Sequence, residues 1–215
     1  MKVYLISGLA ADSRVFKNLQ LPAGFEAVNL DWIKPLKKES LREYAIRLAE
    51  RIDTTENFAI LGLSMGGMIA VEMANRLHPY RTIIISSVPA FNQLPFYFRL
   101  AAKLYLHKLV PVAVIKNGSL LKRIFTTETR EEKLMIKEII RESDPAFIRW
   151  ALHAILRWDN TKIPQNLIHI HGSRDELLPM RFTRPTHIMT KAGHLMVVNR
   201  SEEINEILRS VLISS

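Results

Sequence analysis

Two rhythms of apolar and polar positions alternate along this chain. Through the first ninety residues, short runs rich in Val, Ile, Leu and aromatic side chains are followed by segments whose apolar residues recur every three or four positions. That alternation predicts an α/β protein, a parallel sheet covered by helices on both faces. Lys2 to Ser7, ending at Gly8, reads as the first strand, and Phe25 to Trp32, after Pro22-Ala23-Gly24, as the second. Ser40 and Glu43 form a capping box ahead of Leu41, Tyr44, Ala45, Leu48, Ala49 and Ile52, which share one helix face. Phe58 to Leu63 is the third strand, Met65 to Leu77 a helix that starts directly behind Ser64, and Arg81 to Ser87 the fourth strand. The unalternating Ile83-Ile84-Ile85 suits a strand buried on both faces.

The rhythm changes after residue 90. Residues 91–160 contain no convincing strand but about three helical segments, so they are expected to form a helical lid insertion in a core made of 1–90 and 161–215. The last insertion helix is the clearest: Asp144 as N-cap, Pro145 in the first helical position, then a stripe of Phe147, Trp150, Ala151, Ala154, Ile155 and Trp158. Asn166 to His171 is the fifth strand and Thr186 to Thr190 a short sixth. Ser201 is expected to cap a final helix through Ile204, Ile207, Leu208 and Val211.

Composition narrows the class. The 215 residues, 48% apolar and 24% charged, can bury a full core in one domain. The most apolar stretch, Leu94 to Ile115, is broken by Arg99, Lys103, His107, Lys108 and Pro111, which argues against a membrane span. Lys2 and the apolar run behind it imitate a signal peptide only faintly, because removing them would remove the first core strand; a cytoplasmic location is expected. With no cysteine there are no disulfides. The net charge of +9 raises the question of nucleic acid. Residues 91–160 hold twelve Lys and Arg against seven Asp and Glu, with no long basic run and no nucleic-acid-binding motif beside them. A solvated surface is the simpler reading, and no nucleic-acid partner is expected.

The candidate chemistry begins at Gly62-Leu63-Ser64-Met65-Gly66. A nucleophilic serine set on a sharp turn between strand and helix needs small residues two positions either side, and here strand and helix are each read independently of the motif. The Met65 N–H at the helix start would be one oxyanion donor. A serine hydroxyl needs a base, and a histidine base needs an acid to orient it and to stabilise its cation. Of seven histidines, His194 follows the sixth strand in a glycine turn; His78 ends a helix, His107 and His153 lie in the insertion, and His187 is inside a strand. His169 and His171 alternate on the fifth strand in a spacing that raises a metal site, yet no further ligands stand at suitable spacing, so no metal is expected. For the acid, Asp175 follows the fifth strand, with Glu176 as its direct competitor; Asp12 and Asp31 precede the serine. The chain order Ser64, Asp175, His194 matches that of one fold.

Ser7-Gly8-Leu9, Gly62-Leu63-Ser64-Met65-Gly66-Gly67, His171-Gly172-Ser173-Arg174-Asp175 and Ala192-Gly193-His194 together resemble the α/β-hydrolase superfamily, in its small lid-bearing members, over nearly the whole chain. The resemblance implies the α/β-hydrolase fold, a mostly parallel six-stranded sheet in the order 2-1-3-4-5-6 with helices on both faces. It implies Ser64 as nucleophile, His194 as base, Asp175 as acid, and the backbone N–H groups of Leu9 and Met65 as oxyanion donors. Three features depart from it: Ser7-Gly8 replaces the usual His-Gly, the chain begins at what would be the family's third strand, and only eighteen residues separate Asp175 from His194. The intervening helix is therefore expected to be reduced or missing.

The expected activity is that of a serine hydrolase acting on a small-molecule ester or thioester, with no cofactor. The Phe, Leu, Val and Tyr of Phe91 to Ile115 favour an apolar acyl group, or else only pack the lid; Arg99 and Lys103 are candidates to meet a carboxylate or phosphate. Carbon-carbon bond hydrolysis or lysis on the same triad stays open. So do a ligand-binding module with little turnover and weak contact of segment 94–123 with a membrane surface.

Overall fold

The structure is a computed structural model that describes residues 1–103 and 129–213. His107 and most of the stretch 94–123 lie outside the described residues, as do the side chains of Arg99 and Lys103, so the expectations placed on them are not taken further.

Six strands form one sheet: β1 (Lys2–Ile6), β2 (Glu26–Asn29), β3 (Phe58–Leu63), β4 (Arg81–Ile85), β5 (Leu167–Gly172) and β6 (His187–Met189). Their order is β2-β1-β3-β4-β5-β6 and every pairing is parallel, as expected. Among the described residues the helices are α1 (Leu41–Ala49), α2 (Met65–Leu77), α3 (Phe96–Lys103), α4 (Arg130–Glu142), α5 (Pro145–Leu156), α6 (Met196–Asn199) and α7 (Ser201–Ile213). Only a 3-10 turn at Met180–Phe182 stands between β5 and β6. The helix expected there is thus reduced to a single turn.

Period-two alternation sorts the core into two layers. Tyr4, Ile6, Ile60 and Ile84 pack under α1, α2 and α5. Val3, Leu5, Ala59, Leu61, Leu63, Ile83 and Ile85 face the other way, against Phe16, Ile136, Met196 and Leu208. In the β4–β5 register Ile84 pairs with His169 and Ile85 with Ile170. His169 therefore shares the α1/α2 face with Ile84, while Ile170 joins the opposite layer.

Local signals account for the helix starts. Both arms of the Ser40/Glu43 capping box are formed at α1. At α5 the Asp144 carboxylate accepts the Ala146 N–H at 2.8 Å with Pro145 at the first position. A second capping box, Thr129 with Glu132, opens α4. Helix α5 docks on the core through Trp32, Tyr44, Phe147 and Trp150, whose rings lie 4.4 to 6.3 Å apart. The Trp150 indole also donates to the Glu39 C=O at 2.8 Å.

Most strand boundaries fall within one or two residues of the pattern, and two differences have a visible cause. β2 ends at Asn29 rather than Trp32: the Leu30 N–H still bonds the Leu5 C=O at 2.9 Å, but Asp31 and Trp32 lie beyond the end of β1 at Ile6. Helix α7 takes Ser201 as its first residue, with the Ile204 N–H reaching the Arg200 C=O at 3.3 Å, since α6 leads into it without the extended residue an N-cap requires.

Candidate active site

Ser64, Asp175 and His194 follow the C-terminal ends of β3, β5 and β6 in the same sheet. Parallel strands bring such loops together at one edge. Ser64 sits between β3 and α2 with φ 53° and ψ −118°, a conformation L-residues rarely adopt. Its N–H donates to the Ile85 C=O at 2.9 Å, and its C=O accepts from Gly67 N–H and from the Ser87 hydroxyl at 2.7 Å. The turn closes because the flanking residues carry no side chain. A Cβ on Gly62 would lie 2.2 Å from the Gly66 C=O oxygen, and a Cβ on Gly66 would lie 2.2 Å from that of Ser7. The G-x-S-x-G spacing is therefore a statement about excluded volume here.

The three side chains form one hydrogen-bonded series. His194 Nε2 lies 3.0 Å from Ser64 Oγ, and His194 Nδ1 lies 2.8 Å from Asp175 Oδ2. The other carboxylate oxygen, Oδ1, accepts the N–H groups of Leu177 at 2.9 Å and Leu178 at 2.8 Å. Burial pushes the Asp175 carboxyl up, but the His194 ring, its hydrogen bond and the Leu178 N–H together outweigh that and hold it below the ordinary carboxylate range. Asp175 is 3% exposed, whereas its competitor Glu176 is an exposed residue. Of the other two candidate aspartates, Asp12 is engaged by Arg14, whose Nη2 lies 2.6 Å away, and Asp31 is exposed.

The loop holding Leu9 lies against the elbow. A Cβ on Gly8 would meet the Ser64 Cβ at 3.4 Å. The loop turns through Ala10, whose φ is +56°, and the Ala11 N–H closes it on the Gly8 C=O at 3.1 Å. Two side chains clamp it: the Ser7 hydroxyl and the Trp32 indole N–H both donate to the Ala11 C=O, at 3.0 and 2.9 Å. Ser7, noted in the sequence as a departure from His-Gly, thus ties this loop through its hydroxyl. Met65 is the first residue of α2, where a helix offers its N–H no acceptor.

His169 and His171 turn to each other rather than to a metal position. His169 Nε2 lies 3.1 Å from His171 Nδ1, and His171 Nε2 lies 2.7 Å from the Leu178 C=O. Among the described residues no group of three or more His, Asp or Glu side chains is arranged to hold a metal ion. Burial, reinforced by His171, pushes His169 down to about 3, and burial lowers His171 as well, against the pull of Asp175. Both rings are neutral at physiological pH.

Sequence reasoning missed three supporting groups: Trp32, Ser87 and the tie from His171 to Leu178. The aromatic at the end of an edge strand and the polar residues inside buried strands were the available signals.

A six-stranded parallel sheet in this order, with a strained serine turn behind β3 and loops carrying the acid and histidine behind β5 and β6, is the α/β-hydrolase fold. Solved structures with the same fold include MenH from S. aureus, with a TM-score of 0.77, 17% identity, and coverage of 99% of this chain and 93% of that one. The esterase EaEST from Exiguobacterium antarcticum matches with a TM-score of 0.74 and 17% identity, over 100% and 92% of the two chains. No family model matches the chain. Among curated proteins it is similar to the biotin biosynthesis bifunctional protein BioHC of Teredinibacter turnerae, 26% identical over 189 aligned residues. That match takes in 73% of this chain and 33% of BioHC, so the chain spans about a third of the length of that relative. Among the described residues no helix is long and apolar enough to cross a membrane.

Proposed function

We propose that the chain is an α/β-hydrolase-fold enzyme, a serine hydrolase that cleaves a carboxylic ester or thioester through an acyl-enzyme on Ser64. The observation that carries this reading is the continuous series from Ser64 Oγ through His194 to Asp175, at 3.0 and 2.8 Å. Ser64 attacks the carbonyl carbon while His194 Nε2 takes its proton. Asp175, ionised and bonded to Nδ1, stabilises the imidazolium that forms. The carbonyl oxygen becomes an oxyanion between the backbone N–H groups of Met65 and Leu9. Collapse expels the alcohol or thiol, protonated by His194, and leaves the acyl group on Ser64. Water then attacks with His194 again as base, and the acid departs.

The substrate is a small molecule with an apolar acyl group. Phe96 and Tyr97 remain exposed, at 57% and 39%, and both pack edge to face on Phe182, seven residues beyond Asp175. Residues 91–160 act as a lid, tethered to the core by α5 on Tyr44 and by the 2.6 Å ion pair between Arg14 and Glu142 of α4. An esterase among the proteins that share the fold makes simple esters the first class to assay.

The test is a fluorophosphonate probe together with a panel of esters and thioesters of increasing acyl length, on wild type and Ser64→Ala. Labelling and turnover in wild type that both vanish in Ser64→Ala are expected. No labelling of wild type, or equal labelling of both proteins, overturns the reading; tight binding of an ester without turnover would point to a binding module.

A further inference from the structure

The histidine pair on β5 is not part of the Ser64–His194–Asp175 series, yet it is built into the loop that carries the acid. His169 and His171 are 1% and 0% exposed, in a strand otherwise made of Leu and Ile up to Gly172. Two buried imidazoles are costly unless their nitrogens are used. Here the use is directional. A carbonyl can only accept, so His171 donates its Nε2–H to the Leu178 C=O at 2.7 Å. Its Nδ1 is then a lone pair, and His169 must donate Nε2–H to it across 3.1 Å. The Leu178 C=O thereby sets the tautomer of both rings, with His169 Nδ1 left as a buried lone pair that has no hydrogen-bond partner.

That oxygen belongs to a residue that also serves the acid. The Leu178 N–H donates to Asp175 Oδ1 at 2.8 Å, while its C=O is held by His171. Both ends of the Leu178 residue are therefore anchored, one by the carboxylate it supports and one by the strand below. Between them, Asp175 N–H bonds the Gly172 C=O at 3.2 Å, and Arg174 N–H bonds the Ala192 C=O at 2.9 Å, two residues before His194. The His171 Nε2–H also lies 3.5 Å from Asp175 Oδ2, too long for a hydrogen bond but close enough to present the positive end of an N–H dipole to the oxygen that faces His194.

We propose that His171, oriented by His169, is the positioning residue of the acid: it fixes the Asp175–Leu178 turn so that Oδ1 is occupied by backbone N–H groups and Oδ2 is left to His194. This rests on the serine-hydrolase reading above. The groups that face His171 are His169 on its own strand, Asp175 in the loop after it and, beyond that carboxylate, His194. Its role is a donor's, with no proton gained or lost during turnover.

Two variants and one spectroscopic measurement test it. His171→Phe keeps the ring but removes the donor, and kcat is expected to fall about 10- to 100-fold with KM little changed, as for a small misplacement of a catalytic group. His171→Gln places an amide N–H where Nε2 was, and is expected to recover most of that loss. A structural role alone would lower the melting temperature in both variants and leave the kcat of the folded protein at the wild-type value; that result overturns the proposal. In the wild-type protein, nitrogen-15 histidine spectra between pH 6 and 8 are expected to show His169 and His171 neutral and protonated at Nε2. A charged His171 or an Nδ1–H tautomer overturns it even where His171→Phe does not fold. Wild-type protein that neither labels nor turns over removes the hydrolase reading and this proposal together, whereas active wild type with equally active His171→Phe removes this proposal alone.

Discussion

The two ends of the Ser64–His194–Asp175 series are held in place by different forces. At the serine end the work is done by exclusion: β3 and α2 meet so closely that the backbone oxygens of Ser7 and Gly66 occupy the volume a side chain would need, and Ser64 is left at φ 53°. At the acid end there is room for side chains, and position is set by directed hydrogen bonds from Leu177, Leu178 and His171. A steric constraint fails all at once when a carbon is added. A hydrogen-bonded constraint fails by degrees, one donor at a time, and responds to pH.

Four measurements would break or sharpen that contrast. The largest effect is expected from Asp175→Asn. Its amide can still accept from Leu177 and Leu178, so the protein should fold, but its NH₂ would face His194 Nδ1 and force the wrong tautomer. kcat should fall about 10⁴-fold, as loss of the orienting carboxylate does in a Ser-His-Asp site; a drop below tenfold would show that the acid end tolerates more than its geometry indicates. Next comes Gly66→Ala, whose Cβ would lie 2.2 and 2.3 Å from the backbone oxygens of Ser7 and Ile6. Overpacking against backbone should cost about 3 kcal/mol or more in urea denaturation, with activity lost in the surviving fold.

The third measurement uses acid. His169 titrates at about 3 in the folded protein, and His171 is also lowered by burial, whereas both return to about 6.5 when unfolded. The unfolded chain therefore binds more protons below that value, and stability rises with pH. It should be lost as pH falls from about 6.5 toward 3, by about 1.4 kcal/mol per pH unit for His169, with His171 adding a loss of the same sign. Melting temperatures from pH 7.5 to 5 read this directly, and the slope should shrink in His169→Gln. Asp175, lowered in the fold, adds a loss of the same sign only below about pH 4. The smallest effect is expected from Ser64→Gly. Relief of a strained φ and ψ, worth about 1 to 3 kcal/mol, is partly cancelled by glycine's greater freedom in the unfolded chain, so the inactive variant should gain about 1 kcal/mol in denaturation. No gain would mean that the elbow is less strained than φ 53° indicates.

Much of this contrast was readable in the linear chain because its causes are local. Capping at Ser40 and Asp144 concerns residues within three positions of each other, and both caps formed. The sheet's strands announced themselves by unbroken apolar runs, and the motif around Ser64 by glycines two positions either side. Boundaries were less legible where a partner decided them: Asp31 and Trp32 lie beyond the end of β1, a fact that the residues after Asn29 do not carry. Asp175 was the acid named from sequence with Glu176 as its competitor; folding buried Asp175 against His194 and left Glu176 exposed.

What the sequence determined by itself was therefore the order of strands and helices, the steric signature of the elbow, and the residue types available after each strand. Those follow from periodicity and backbone geometry, which act over a few residues. Tertiary structure alone decided that Trp32 and Ser7 share the Ala11 C=O, and that His169 Nε2, His171 Nδ1 and His171 Nε2 are used within the pair and on Leu178 while His169 Nδ1 stays unpartnered. The bond from Trp32 joins segments that the sheet brings side by side, the others are set by how the loops after β1 and β5 fold back, and in each case the partner is set by where the backbone delivers it.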